Sequence, residues 1–81
     1  MYIKKLNDLV PGEWGIIKNI DNIGSMRRRL IDLGFAEKSK VRCILTAPLG
    51  DPKAFYIKGT VIALREEDSS KINILGEKTG F

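Results

Sequence analysis

The sequence contains no histidine and a single cysteine, Cys43, among its 81 residues. Without histidine, the chain lacks the usual general base and the commonest transition-metal ligand, and a Ser-His-Asp triad is excluded. One cysteine cannot form an intrachain disulfide. No long apolar run follows the first lysines, as a secretory signal peptide requires, and no segment reaches the roughly 18–20 apolar residues of a membrane span. These absences predict a reduced, cytoplasmic, soluble protein that is not an enzyme.

What the chain does contain is enough for one small core. The apolar fraction is 43%, which argues against disorder. At 81 residues we expect a single domain over residues 1–75 and a flexible tail over 76–81. The net charge of +4 suits a nucleic acid, an anionic membrane surface or an acidic protein, and charge alone selects none of them.

The hydrophobic pattern predicts short strands and one short helix. Alternation and turn residues indicate strands near residues 14–20, 40–47, 55–58, 61–65 and 71–74. A helix is predicted over residues 26–33, with Ser25 as its N-cap and Gly34 in the left-handed conformation after its end. Strands this short favour a small antiparallel barrel of about five strands, because closure removes free sheet edges.

Five motifs in register carry a resemblance to a known family. They are Leu6-x-x-Leu9-x-x-Gly12, Arg29-Leu30-x-x-Leu33-Gly34-Phe35, Ala47-Pro48-Leu49-Gly50-Asp51-Pro52, Gly59-x-x-Ile62-Ala63-Leu64-Arg65, and Ile72. Together they resemble the FeoA-type ferrous iron transport proteins over residues 6–75. The resemblance implies a mainly β, SH3-like barrel with a short inserted helix.

The same resemblance implies a function. It indicates a cytosolic accessory protein of ferrous iron uptake, a protein-interaction module whose partner is the cytosolic domain of a FeoB-type transporter. The alternative is a transition-metal-binding sensor that resembles the C-terminal domain of iron-dependent repressors. Direct membrane insertion is not expected. One departure from the family pattern is Lys38, which stands where a turn glycine is usual, so an altered turn is expected there.

The candidate partner-binding residues lie on the helix and in the proline-rich loop. They are Arg27, Arg29, Ile31, Leu49 and Asp51. Leu49 is an apolar residue in a polar loop, which favours a contact role, although the loop also fits a plain hairpin connection stiffened by its prolines. Residues 27–29 are consecutive arginines that cannot form one helical stripe, and no aromatic residues interleave with them, so nucleic-acid binding is not expected.

Metal ligands are scarce. The candidates are Cys43, which is expected in the core, and the carboxylates Glu66, Glu67 and Asp68. Soft metal sites need several Cys or His ligands, so at most a weak site for Fe²⁺ or another divalent metal is predicted, and no cofactor is required. Iron is then handled by the transporter and not held by this chain.

Overall fold

The computed structural model of the chain describes residues 2–76, which form one antiparallel sheet and two short helices. The strands are β1 (Tyr2–Lys5), β2 (Trp14–Ile20), β3 (Lys40–Thr46), β4 (Lys53–Ile57), β5 (Thr60–Leu64) and β6 (Ile72–Gly76). The helices are α1 (Gly24–Asp32) and α2 (Glu66–Ser69), and a 3-10 turn covers Leu6–Asp8. The strand order is β1-β6-β2-β3-β4-β5.

The mainly β architecture with a short inserted helix is confirmed, and the sheet has six strands. The additional strand is β1, which pairs with β6 from Tyr2 opposite Gly76 to Lys5 opposite Asn73. The expected closure is not found: β1 and β5 stand at the two ends of the order, so the sheet is curled and not closed. Most of the predicted tail lies outside the described residues, and Gly76 is the last residue of β6.

The core lies on the concave side of the sheet, where alternate residues of the strands point inward. Phe55 and Ile57 of β4 lie beside Cys43 and Val41 of the neighbouring strand β3, and all four are fully buried. Leu30 closes the core from α1. A 75-residue stretch therefore gathers one continuous cluster, which is what so short a chain without a disulfide needs.

Helix α1 begins earlier than predicted. Its first residue is Gly24, Ile23 occupies the N-cap position, and no side chain caps the helix, so the expected N-cap role of Ser25 is wrong. The chain before α1 is held by other means: Asn22 is buried and its Nδ2 donates to the Asp68 carbonyl at 3.1 Å. This hydrogen bond anchors the segment before α1 to the end of α2, and the helix starts without a side-chain cap.

The end of α1 follows the prediction. Gly34 has φ 108°, its N–H donates to the Ile31 carbonyl, and the Phe35 N–H donates to the Leu30 carbonyl. This pair of bonds is the Schellman arrangement, and the hydrophobic contact that accompanies it joins Phe35 to Leu30 in the core. The end of the helix is thus coupled directly to core packing.

The turn at Lys38 forms without a glycine. Lys38 has φ 71°, a left-handed conformation uncommon for a residue with a side chain. Its N–H donates to the Ile17 carbonyl at 2.8 Å, and the Ile17 N–H donates to the Ser39 carbonyl at 2.9 Å. The lysine thus has the left-handed conformation that favours glycine, and hydrogen bonds to β2 hold the turn from both sides.

We expect Lys38→Gly to stabilise the protein by about 0.5 kcal/mol, because the relief of left-handed strain, about 1–2 kcal/mol, exceeds the entropy lost by glycine, roughly 0.5–1 kcal/mol. Urea denaturation measures the difference. Lys40→Gly, two residues on in the extended strand β3, is the matched control and should destabilise the fold. A lower free energy of unfolding for Lys38→Gly would show that the turn is unstrained.

Candidate functional site

The loop between β3 and β4 carries the most exposed of the large apolar side chains among the described residues. Leu49 is 96% exposed. The loop is held at its base by the Ala47 N–H, which donates to the Pro52 carbonyl at 3.0 Å, and within it by the Gly50 N–H, which donates to the Ala47 carbonyl at 2.7 Å. A leucine on a hydrogen-bonded loop loses little entropy when it docks, so this position suits a contact with another macromolecule.

Asp51 has a structural function that the sequence did not reveal. Its Oδ1 accepts a hydrogen bond from the Glu66 N–H at 2.8 Å, at the start of α2. The first N–H groups of a helix have no partner within it, so an acceptor from a distant loop satisfies one of them. Asp51 thereby ties the Leu49 loop to α2 and positions the loop.

Lys53 is a second anchor next to the loop, and it was not singled out from the sequence. Its Nζ donates to the carbonyls of Asn7 at 2.6 Å and Leu9 at 2.9 Å, which joins β4 to the 3-10 turn. Asp51 and Lys53 also line a cleft of about 370 Å³ between the loop, the 3-10 turn and α2. No sequence motif marks this cleft, because its walls come from segments more than 40 residues apart.

The arginines of α1 differ in their roles. Arg27 donates from Nη1 to the Ile20 carbonyl at 2.6 Å and so links α1 to the end of β2. Arg29 lines a groove of about 170 Å³ between α1 and β5, together with Arg65 and Asp68. Ile31 is 47% exposed on the same helix. Arg29 and Ile31 therefore remain available for contact, whereas Arg27 is partly committed to the fold.

The two groups of predicted residues both lie next to α2. Asp51 contacts the first residue of α2, and Arg29 shares a groove with Asp68 of the same helix. Arg65, which immediately precedes α2, lines that groove but was predicted only as part of a motif. The Leu49 loop and α1 thus flank a common element.

The metal candidates do not form a site among residues 2–76. No group of three or more His, Cys, Asp or Glu side chains there is arranged to hold an ion. Cys43 is fully buried, and burial raises the pKa of its thiol, with Lys53 acting in the opposite direction. Since the thiolate is the metal-binding form, a neutral buried thiol is a poor ligand. The metal-sensor interpretation therefore stays a prediction from the sequence.

Sequence comparison decides the family. The FeoA domain family matches residues 4–75. The chain belongs to the FeoA family. It is 30% identical over 70 residues to the Fe(2+) transport protein A/Fe(2+) transporter FeoB fusion protein of Porphyromonas gingivalis, covering 86% of this chain and 8% of that protein. The chain therefore spans only a small part of this curated relative.

Solved structures of the FeoA family share the fold. The solution structure of iron(II) transport protein A from Clostridium thermocellum superposes with a TM-score of 0.85 at 32% identity, over 90% of this chain and 45% of that one. The zinc complex of FeoA from Stenotrophomonas maltophilia, described as a prokaryotic SH3 domain protein, gives 0.78 at 23% identity over 88% of both chains. The SH3-like fold is thus confirmed. Among residues 2–76, no helix is long and apolar enough to cross a bilayer.

We expect Asp51→Ala to destabilise the protein by about 1 kcal/mol, because the Glu66 N–H loses its acceptor. Asp51→Asn keeps an oxygen at that position and is the matched control, with a smaller loss. Thermal unfolding followed by circular dichroism compares the three proteins. Equal melting temperatures for all three would mean that the bond contributes nothing to stability.

We also expect Cys43 to be inert in the folded protein. Its raised pKa keeps the thiol neutral at pH 8, and its burial excludes reagent, so labelling by a water-soluble disulfide reagent should be at least about 100-fold slower than in 6 M guanidinium chloride. Absorbance of the released thiolate measures the rate. Rapid labelling under native conditions would contradict the buried position of the side chain.

Proposed function

We propose that this chain is an accessory module of ferrous iron uptake that binds the cytosolic part of a FeoB-type transporter. The observation that carries the proposal is the fusion relative, in which a protein of this family and the transporter form a single polypeptide. Covalent joining keeps two parts at a high effective concentration, which favours even a weak contact between them. The module then belongs on the cytoplasmic side, where that part of the transporter lies.

The contact surface that we propose combines the Leu49 loop with the exposed side of α1. Leu49 and Ile31 supply the apolar anchors, and Arg29 supplies a cation at the edge of a groove. Asp51 acts indirectly, since it holds the loop against α2. Arg27 contributes mainly by fixing α1 to β2. Buried apolar anchors surrounded by polar groups are the usual composition of a protein interface.

The mode of action that we propose is a shift between states of the transporter and not turnover of a substrate. A bound module changes such an equilibrium only by the difference between its affinities for the two states. The chain offers no histidine for acid–base chemistry, and the proposal requires no metal held by the chain itself. Iron remains the cargo of the transporter.

We expect Leu49→Asp and Ile31→Asp each to weaken binding to the purified cytosolic region of a FeoB-type transporter by about tenfold or more. Burial of a leucine or isoleucine side chain contributes roughly 1.5–3 kcal/mol, and a buried unpaired carboxylate opposes binding further. Isothermal titration calorimetry with the isolated cytosolic region measures the dissociation constants.

Ile3→Asp is the matched control, because Ile3 is another exposed aliphatic residue but lies on β1, away from α1 and the loop. It should bind as the unchanged protein does. If Leu49→Asp and Ile31→Asp both bind with unchanged affinity, the assigned surface is wrong. If the unchanged protein itself does not bind, the proposed function is wrong.

A further inference from the structure

A row of aromatic, cationic and aliphatic side chains crosses the convex face of the sheet, opposite the core. Trp14 pairs with Arg42, Arg42 with Tyr56, and Tyr56 with Val61 across four neighbouring strands. Residues directly opposite each other in antiparallel strands share a face, so these four side chains stand side by side. Trp14 is 45% exposed, Tyr56 39% and Val61 60%.

A second row runs beside the first on the same face. Ile3 pairs with Leu75, Leu75 with Ile16, and Ile16 with Lys40. Ile16 lies two positions after Trp14 in β2, and Lys40 lies two positions before Arg42 in β3. Residues two apart in a strand share a face, so both rows lie on the convex side. We call the eight residues of the two rows the outer face.

The outer face combines amphipathic rings, cations and aliphatic side chains, and none of its eight residues is acidic. Arg42 and Lys40 are both exposed, and the Arg42 guanidinium carbon lies 5.4 Å from the centre of the Trp14 ring, a cation–π distance. Glu13, which precedes Trp14 in the chain, is engaged by Lys4 and by the Val10 N–H. Arg42 and Lys40 therefore have no acidic partner among the residues of the outer face.

We propose that the outer face docks on the surface of an anionic lipid bilayer. Trp and Tyr rings favour the headgroup region of a membrane because one side of each is apolar and the other polar, and Lys or Arg side chains are attracted to anionic lipids. In this arrangement the outer face rests on the bilayer surface and does not cross it. The positive charges of Arg42 and Lys40 complement the negative charges of lipid phosphates, which is why an anionic bilayer is the partner that we propose.

The shape and composition of the face favour a membrane over a single-stranded nucleic acid. Single-strand binders hold the phosphate backbone in a positively charged groove, whereas this face is convex because the core lies on the other side of the sheet. Exposed Val61, beside Tyr56, gains from contact with the acyl boundary but gains nothing from phosphates or sugars.

The test uses the single tryptophan of the chain as its probe. The full-length protein is titrated with vesicles of phosphatidylcholine alone and of phosphatidylcholine with 30% phosphatidylglycerol, at low and at physiological salt. We expect a blue shift of Trp14 emission, and quenching by brominated lipid, only with the anionic vesicles. Binding should weaken as salt rises. No shift with anionic vesicles at low salt overturns the proposal.

Arg42→Ala should weaken vesicle binding in a sedimentation assay by about fivefold, the loss expected for one cation near an anionic surface. Arg28→Ala, which removes the same charge from exposed α1, is the matched control and should change binding less than twofold. Equal losses in the two variants would mean that net charge alone attracts the protein, and would overturn the outer face as the site.

An oligothymidylate and a polyglutamate peptide are titrated in parallel. Tighter binding of either polymer than of anionic vesicles would overturn the membrane as the occupant. The vesicles contain no transporter, so this experiment is independent of the proposed function. Circular dichroism of each variant verifies that it is folded, and Lys40→Ala provides a second cation removal if Arg42→Ala does not fold.

Discussion

The fold depends on one-sided burial. Strands β2 to β6 each turn alternate apolar side chains to one face of the sheet, because 81 residues without a disulfide can support only one core. Leu30 from α1 and Phe35 after it complete that core, and the hydrogen bonds at the end of α1 hold the two together. The loops, the caps and the free convex side are all consequences of this single arrangement.

The sequence predicted the elements that have strong local signals. Strand β2 and the end of α1 at Gly34 follow from alternation and from glycine at a left-handed position. Strand β1 escaped prediction because its only partner, β6, is about 70 residues away, and four residues are too few for a pattern. Helix α1 starts at Gly24 without a side-chain cap, and the bond from the buried Asn22 to the Asp68 carbonyl just before it joins segments too distant in sequence to be predicted.

In the candidate site, too, local sequence signals predict some features, and contacts between distant segments decide the others. Exposure of Leu49 could be predicted, since an apolar residue in a polar loop has few ways to be buried, whereas the position of Ile31 off the helical stripe fitted both a core contact and an exposed side chain. The bonds of Asp51 and Lys53 could not, because each joins segments distant in sequence. Nor could the outer face: Trp14, Arg42 and Tyr56 are far apart in the chain and meet only through strand register.

The proposed protein contact and the proposed lipid contact use different sides of the molecule. Helix α1 packs on the concave side through Leu30, whereas Trp14, Arg42 and Tyr56 point away from the core. A partner bound at α1 and the Leu49 loop therefore leaves the convex side uncovered. Each exposed cation contributes only about 1 kcal/mol at an anionic surface, so the outer face alone binds weakly. Attachment to a membrane transporter, whether by docking or by fusion, raises the effective concentration of the face at the bilayer, and under that condition a weak lipid contact is sufficient to orient the module.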